Sequence, residues 1–227
     1  NFDEMQYRII LIDDAHMMND EAQNALLKSL EEPPEGIIFI LLTPHVDRLL
    51  PTIQSRCWQI NFDPLENQDI LKILKEFFEV DESLAGQVSH FCNGSVNDAI
   101  DLINNDFEKL LEDTIFLLRY SLGRKYHSTI SFINDFIRDN SAESLKLLIQ
   151  MITKWLNDTV RNKVSYENYY FEEYRDTIEK FNQKFGTTSV NNTINKLNEL
   201  SSAIDRNVNL NIIVLGIIFE LSFITMR

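Results

Sequence analysis

Two short apolar runs with a helical pattern between them organise the first sixty residues of the chain. The runs cover residues 9–12 and 37–42, and each ends at polar residues. Between them, apolar residues recur at three- and four-residue spacing over residues 22–30, which indicates a helix with one face on the sheet. Asn19 is placed to cap that helix and Pro33 follows its end. The pattern predicts a βαβ unit of a buried parallel sheet.

The pattern changes towards the middle of the chain. Residues 58–62 predict a third strand, and from residue 67 onward the apolar periodicity is helical throughout. Three helices are predicted up to about residue 111, with Gly94 ending one of them and Ser95 capping the next. The helical pattern continues from there to the end of the chain. The predicted fold class is therefore α/β plus all-α.

The changes in pattern also predict domain boundaries. Residues 1–63 carry the two strand runs and the helix between them, and residues 64–112 carry the three predicted helices. Residues 113–227 form a separate all-helical region whose last helix is the most apolar of all. A division into three parts suits a chain of 227 residues.

Composition narrows the possible functions. The formal net charge is −14, which argues against this chain gripping DNA by itself, because phosphate binding depends on clustered Lys and Arg. The two cysteines, Cys57 and Cys92, are too few for a four-ligand zinc site and give no sign of a disulfide framework. A reducing cytoplasmic setting is expected.

The last helix raises the question of a membrane span. Residues 208–226 are mostly apolar, but Asn209, Asn211 and Glu220 interrupt a run that is already short for crossing a bilayer. A buried core helix is the favoured interpretation, and no membrane association is predicted.

Candidate chemistry lies at the ends of the two predicted strands. Asp13 and Asp14 follow the first strand and Thr43 follows the second. In open α/β folds, ligands bind beyond the carboxyl ends of the strands. The alternative is that the carboxylates only end a strand and cap the next segment, and that Thr43 is an ordinary strand-end residue. His16 and His45 have no partners at catalytic or metal-ligand spacing, so we predict ordinary polar roles for them and no metal site.

Four segments resemble one protein family in order and spacing. The sequence IILIDDAH resembles the Walker B strand of AAA+ ATPases, and AQNALLKSLEEPP resembles the helix that follows it in clamp-loader subunits. Thr43 stands where their sensor 1 lies, and LLPTIQSRC contains their Ser-Arg-Cys motif. The resemblance is to the AAA+ clamp-loader subunits of bacterial DNA polymerase III, most of all to the delta-prime branch, with gamma/tau as a near relative. It implies a partial AAA+ P-loop-type core over residues 1–63, a three-helix lid, and a C-terminal helical collar for oligomerisation.

The resemblance implies specific roles for single residues. Arg56 would be donated in trans to the ATP site of a neighbouring subunit; the alternative is a surface Arg paired with a carboxylate. Asp13, Asp14 and Thr43 would form a degenerate cofactor-binding site. Asp14 stands where active members have a Glu that orients water, and Asn97 where they have an Arg. Both departures imply a subunit that does not hydrolyse ATP.

The resemblance also implies cofactors and partners. None of the six glycines lies in a P-loop pattern, so no cofactor is expected in this fragment itself, and ATP and Mg²⁺ would belong to neighbouring subunits. A missing N-terminal part would carry the first strands, any P-loop and possibly a zinc module. The partners would be the gamma/tau and delta subunits through the collar, and the sliding clamp and primed DNA through the complex.

Three functional hypotheses remain open at this stage. The first is a delta-prime-like stator in the loader, and the alternative is a gamma/tau-like motor that binds and hydrolyses ATP itself. The third is an unrelated helical scaffold. Because an incomplete sheet exposes an unpaired edge, we also expect the fragment alone to be poorly soluble or to self-associate.

Overall fold

The structure, a computed structural model, describes residues 7–164, 169–186 and 189–226. The chain divides into two compact units, Asn1–Asp63 and Pro64–Arg227. The described part of the first unit is α/β and that of the second is helical. The fold class predicted from the sequence, α/β plus all-α, is confirmed.

The first unit is built on a two-stranded parallel sheet. Strands β1 (Arg8–Ile12) and β2 (Ile37–Leu41) pair in register from Arg8 opposite Ile37 to Ile12 opposite Leu41. Helix α1 (Asp20–Glu31) connects them, and the one-turn helix α2 (Pro51–Gln54) follows β2. Single 3-10 turns occupy Ala15–Met17 and Val46–Arg48. The predicted βαβ unit with parallel strands is confirmed, but the prediction that its sheet is buried is wrong: Ile9 and Leu11 of β1 and Ile38 and Ile40 of β2 are exposed.

The ends and the buried face of α1 have local causes. The side chain of Asn19 accepts a hydrogen bond from the Ala22 N–H at 2.9 Å, as the sequence predicts for an N-cap. The face that packs on the small core of this unit carries Leu27 and Leu30. Ala22 is exposed, so the predicted position of the buried face is only partly right. Gln23 is buried in its place, with side-chain hydrogen bonds to the Met18 carbonyl and from the Leu50 N–H.

The predicted third strand is wrong. Residues 58–62 have no strand structure, and the side chains of Trp58 and Phe62 are 91% and 89% exposed. A strand needs a neighbour that accepts and donates its backbone hydrogen bonds, and the sheet of the described residues consists of β1 and β2 alone. After β2, Pro51 begins α2 at a position where its missing N–H costs nothing.

The second unit is helical throughout its described residues. Its helices in chain order are α3 (Asn67–Phe78), α4 (Glu82–Phe91), α5 (Val96–Asn104), α6 (Phe107–Leu122), α7 (Tyr126–Asp139), α8 (Ala142–Lys163), α9 (Arg175–Phe185), α10 (Asn191–Asp205) and α11 (Leu210–Met226). One continuous apolar core contains residues from all nine of these helices. Helix α8 lies at its centre, and Trp155 is its largest fully buried side chain.

The predicted division between lid and collar falls inside a helix. Three helices, α3 to α5, precede residue 107 as predicted, but α6 runs without a break through residues 112 and 113. Gly94 and Ser95 occupy the predicted junction between α4 and α5. Gly94 has a φ of +78°, and the Ser95 hydroxyl accepts a hydrogen bond from the Asp98 N–H at 3.2 Å. Glycine adopts this left-handed backbone without the steric cost of a Cβ.

Helix α11 has one buried and one exposed side. Ile213, Ile217 and Leu221 lie fully within the core of the second unit. In the part of the chain that the structure describes, no helix combines the length and apolar character needed to cross a bilayer.

Candidate functional site

The strand register brings the predicted site residues to one edge of the sheet. Beyond the last paired residues, the Leu42 N–H donates to the Ile12 carbonyl and the Ala15 N–H donates to the Leu42 carbonyl, both at 2.9 Å. Asp13 and Asp14 therefore leave β1 at the same edge where Thr43 leaves β2. This is the edge at which parallel α/β sheets bind ligands.

The two carboxylates have an unusual backbone arrangement. Asp14 has φ 47° and ψ 44°, in the left-handed region that few residues other than glycine adopt. Its N–H donates to the Asp13 Oδ1 at 2.9 Å. Asp residues tolerate this conformation better than most, because the short polar side chain bonds locally. Both side chains are exposed, so they are available to a ligand.

Two histidines accompany these residues. The Thr43 hydroxyl accepts a hydrogen bond from the His45 N–H at 3.0 Å, so it closes a turn of its own strand end. The rings of His16 and His45 meet edge to face with centroids 5.1 Å apart, and the His16 Nδ1 lies 4.0 Å from the Asp14 Oδ1. The sequence indicated no such pairing. Its only signal was that each histidine follows a site residue by two positions.

Several groups at this edge already have local partners. Over the described ranges, no cluster of three His, Cys, Asp or Glu side chains could hold a metal ion. One Asp13 oxygen and the Thr43 hydroxyl already bond to backbone N–H groups. The glycine nearest to this edge in sequence, Gly36, stands at the opposite end of β2 and offers no Gly-rich cradle for phosphates.

Arg56 follows directly after Ser55, the C-cap residue of α2. Its Nη1 donates to the Thr52 carbonyl at 2.9 Å, and its Nη2 lies 2.5 Å from the Glu31 Oε1. The side chain of Arg56 is 34% exposed and that of Glu31 is 49% exposed. Glu31 is the last residue of α1 and forms an ion pair with Arg56. The carboxylate-paired arginine, one of the two alternatives for Arg56, is therefore present in the isolated chain.

Sequence reasoning missed one buried polar residue that supports Arg56. Gln23 is 2% exposed, and its Nε2 donates to the Met18 carbonyl at 3.0 Å. Its Oε1 accepts a hydrogen bond from the Leu50 N–H at 2.8 Å, immediately before α2 begins. Gln23 thus ties α1 to the segment that carries Arg56. The signal was its spacing, since Gln23 precedes Leu27 by four residues and shares its helix face.

The remaining predicted residues have simpler surroundings. Cys57 is half-buried against the core of the first unit, and burial raises the pKa of its thiol. A raised pKa leaves less thiolate, so Cys57 is suited to packing and not to nucleophilic attack. Asn97 is exposed in the first turn of α5.

Comparison with known proteins finds similarity to subunits of DNA polymerase III. The family described as "DNA polymerase III, delta subunit" matches residues 3–66. The DNA polymerase III subunit gamma of Buchnera aphidicola subsp. Acyrthosiphon pisum (strain APS) is 28% identical over 208 residues, which cover 82% of this chain and 58% of that protein. The DNA polymerase III subunit tau of Bacillus subtilis (strain 168) is 38% identical over 103 residues, 43% of this chain and 18% of that protein.

One solved structure that aligns with this chain is that of a DNA polymerase III gamma subunit-related protein from Thermotoga maritima. The alignment covers 97% of this chain and 73% of that chain, with a TM-score of 0.44 and 20% sequence identity. The chain spans 58% of the Buchnera gamma subunit and a smaller share of the tau subunit. Residues 3–66 therefore resemble the family described as "DNA polymerase III, delta subunit", and the chain is similar over a longer stretch to gamma and tau subunits of that polymerase.

Proposed function

We propose that this chain belongs to a delta-prime-like clamp-loader subunit that does not hydrolyse ATP but donates Arg56 to the ATP site of a neighbouring subunit. The observation that carries the proposal is the delta-subunit family match over residues 3–66, the segment that also contains Arg56 in its Ser-Arg-Cys motif. The complex would place the sliding clamp on primed DNA.

The chemistry and position of Arg56 support this role. A guanidinium is always charged and its planar fork matches phosphate oxygens. Arg56 follows the one-turn helix α2 and keeps a third of its side chain exposed. An arginine finger supplied in trans stabilises the charge that develops in phosphoryl transfer, and it can contribute about 10³ to 10⁵ in rate.

The sheet edge supports a subunit that is not itself an ATPase. Asp14 occupies the position of the water-orienting Glu of active relatives, with one methylene less. It is also held in a left-handed backbone conformation. The Thr43 hydroxyl is bonded to its own turn, and Asn97 offers no positive charge to a phosphate. On this proposal, Asp13, Asp14 and Thr43 are a degenerate cofactor site, and ATP and Mg²⁺ act in the neighbouring subunits.

The exposed side of α11 supports assembly through the C-terminal helices. Ile212, Leu215, Phe219 and Phe223 recur at three- and four-residue spacing and are all exposed. A contiguous apolar stripe of this kind marks a protein interaction surface. We propose that it packs against the collar helices of gamma/tau and delta subunits. The net charge of −14 assigns DNA contact to those partners, in the cytoplasm where replication takes place.

A gamma/tau-like motor is the second candidate, because the named relatives are gamma and tau subunits. This candidate predicts that the full-length protein binds and hydrolyses ATP alone. Equilibrium binding of a fluorescent ATP analogue to the full-length protein separates the two. The delta-prime-like proposal expects no saturable binding, and micromolar binding with hydrolysis would favour the motor.

The finger is tested by ATP hydrolysis in the reconstituted loader, stimulated by clamp and primed DNA. Arg56→Ala is expected to lower the rate by about two orders of magnitude at sites where this subunit is the neighbour. Arg48→Ala is the matched control, since it removes an exposed arginine of the same unit. Size-exclusion chromatography verifies that each complex is intact. An unchanged rate for Arg56→Ala in an intact complex would overturn the role.

A further inference from the structure

The guanidinium of Arg56 is occupied within its own subunit. Its Nη2 contacts the Glu31 carboxylate at 2.5 Å, and its Nη1 donates to the Thr52 carbonyl at 2.9 Å. Both partners are close in space because Gln23 holds α1 against the segment before α2, through its bond to the Leu50 N–H. The contact between Glu31 and Arg56 therefore belongs to the packed structure of the unit, although 25 positions separate the two residues.

A carboxylate and a phosphate compete for the same donors. Both anions accept the parallel N–H groups of the guanidinium fork. An approaching phosphate would meet the negative charge of Glu31 directly beside Nη2, where the two anions repel each other. Arg56 can serve a neighbouring nucleotide fully only after its Nη2 leaves the Glu31 oxygen.

We infer that Glu31 is a positioning residue that holds Arg56 on its own subunit and releases it when the phosphates of a neighbouring nucleotide arrive. The inference rests on the proposed finger role of Arg56 and adds a control step to it. In the free subunit the ion pair stores the guanidinium in an ordered conformation. In the assembled complex the phosphate replaces the carboxylate as the acceptor of Nη2.

The expected size of the effect follows from the exposure of the pair. Glu31 and Arg56 are 49% and 34% exposed, so water screens their attraction. Such pairs are weak, and releasing one changes an equilibrium by about two- to fivefold. An ion pair of this strength keeps the Arg56 side chain ordered but still allows its guanidinium to leave Glu31 for a phosphate.

The first test measures the release of Arg56 in the full-length protein alone. Phenylglyoxal modifies accessible guanidinium groups, and mass spectrometry of peptides gives the rate at Arg56. Glu31→Gln keeps the size of the side chain but loses its charge, and it is expected to speed modification by about two- to fivefold. Glu32→Gln is the matched control: it removes the same charge one residue away, at a side chain with no bond to other described residues.

Equal rates in Glu31→Gln, Glu32→Gln and the wild-type protein would overturn the inference. Melting curves show whether Glu31→Gln remains folded. If it does not, Glu31→Asp serves instead, because its carboxylate is one methylene too short to keep the 2.5 Å contact. The modification rate with Glu31→Asp is then expected to rise in the same direction.

The second test uses the complete loader and separates this inference from the finger role. Glu31→Gln is expected to lower the KM for ATP by about two- to fivefold with kcat unchanged, because less of the arginine is held back. A purely structural role of Glu31 would lower kcat instead. If Arg56→Ala slows hydrolysis while Glu31→Gln has the same KM and kcat as Glu32→Gln, the inference about Glu31 is wrong and the role of Arg56 as an arginine finger is supported. If Arg56→Ala leaves the rate of hydrolysis unchanged, both the finger role of Arg56 and the positioning role of Glu31 are wrong.

Discussion

The two units differ sharply in how much they bury. Among the described residues of the first unit, the buried apolar residues are Ala15, Leu49 and Ile53, whereas the second unit has one extensive core shared by its described helices. The strands of the first unit leave Ile9 and Leu11 exposed on one face of the sheet. Yet the candidate site lies entirely in the first unit. The candidate site residues thus lie in the unit with the smaller core, and the second unit contributes most of the burial that stabilises the chain.

The two tryptophans offer the largest test of this comparison. Trp155 on α8 is 2% exposed, and Trp58 is 91% exposed. Trp155→Ala is expected to lower the free energy of unfolding by about 3–5 kcal/mol, because it leaves a cavity in the core. Trp58→Ala is expected to change it by less than about 0.5 kcal/mol. Urea unfolding followed by circular dichroism measures both changes. Similar losses of unfolding free energy in the two variants would contradict the difference in burial between the two units.

Lys154 provides a pH-dependent test of burial in the second unit. Burial lowers the pKa of its amino group to about 8, while its Nζ donates to the Asn93 Oδ1 at 2.5 Å and lies 4.4 Å from the centre of the Tyr170 ring. The unfolded chain holds this proton up to about pH 10.4. Between these pKa values the unfolded state binds more protons, so stability rises with pH.

We expect this rise to total about 3 kcal/mol for Lys154 between pH 7 and pH 11. The measurement is the free energy of unfolding of the wild-type protein minus that of Lys154→Met at each pH, which removes the contribution of other groups. A difference that stays constant with pH would show that the amino group is not desolvated in the folded protein.

Gln23 tests whether a single polar residue stabilises the first unit. Gln23→Ala leaves the partly buried Leu50 N–H without its partner, and an unsatisfied buried donor typically costs about 1–3 kcal/mol. We expect faster hydrogen exchange in α1 and α2 and unchanged exchange in α8, measured by mass spectrometry. Gln54→Ala, which removes side-chain bonds nearby at the end of α2, serves as the comparison. Equal protection of α1 in all three proteins would contradict the role given to Gln23.

Helix caps give the smallest expected effect and should act alike in both units. Asn19 and Ser141 each accept a hydrogen bond from the N–H three residues later, at 2.9 Å and 3.1 Å. Replacing either with Ala is expected to cost about 1 kcal/mol in the stability of its own helix, because a cap depends on local geometry and not on the size of the core. Hydrogen exchange of the first turns of α1 and α8 measures each loss. A loss of helix stability in only one of the two variants would show that capping depends on tertiary burial.

Local patterns predicted most of the fold. The Asn19 and Ser95 caps and the helix end at Gly94 depend on residues within four positions along the chain, so the sequence alone was enough to predict them. The failure at residues 58–62 has the opposite cause. Strand formation depends on a neighbouring strand, and apolar alternation by itself does not supply one. The predicted domain boundary near residue 112 stays a prediction. Helix α6 continues through this position, and the apolar residues on both sides of it belong to one core.

The sequence by itself determined which residues are candidates for the site. Asp13, Asp14, Thr43 and Arg56 were identified from their positions within motifs, and those positions do not depend on how the chain packs. Their surroundings were decided only by the tertiary structure. Strand register placed Thr43 near the carboxylates, and the packing of α1 brought Glu31 to Arg56 across 25 positions. Hydrogen bonds within a turn depend on neighbours along the chain, so a pattern reveals them. An ion pair between two elements depends on how those elements pack, which no local pattern contains.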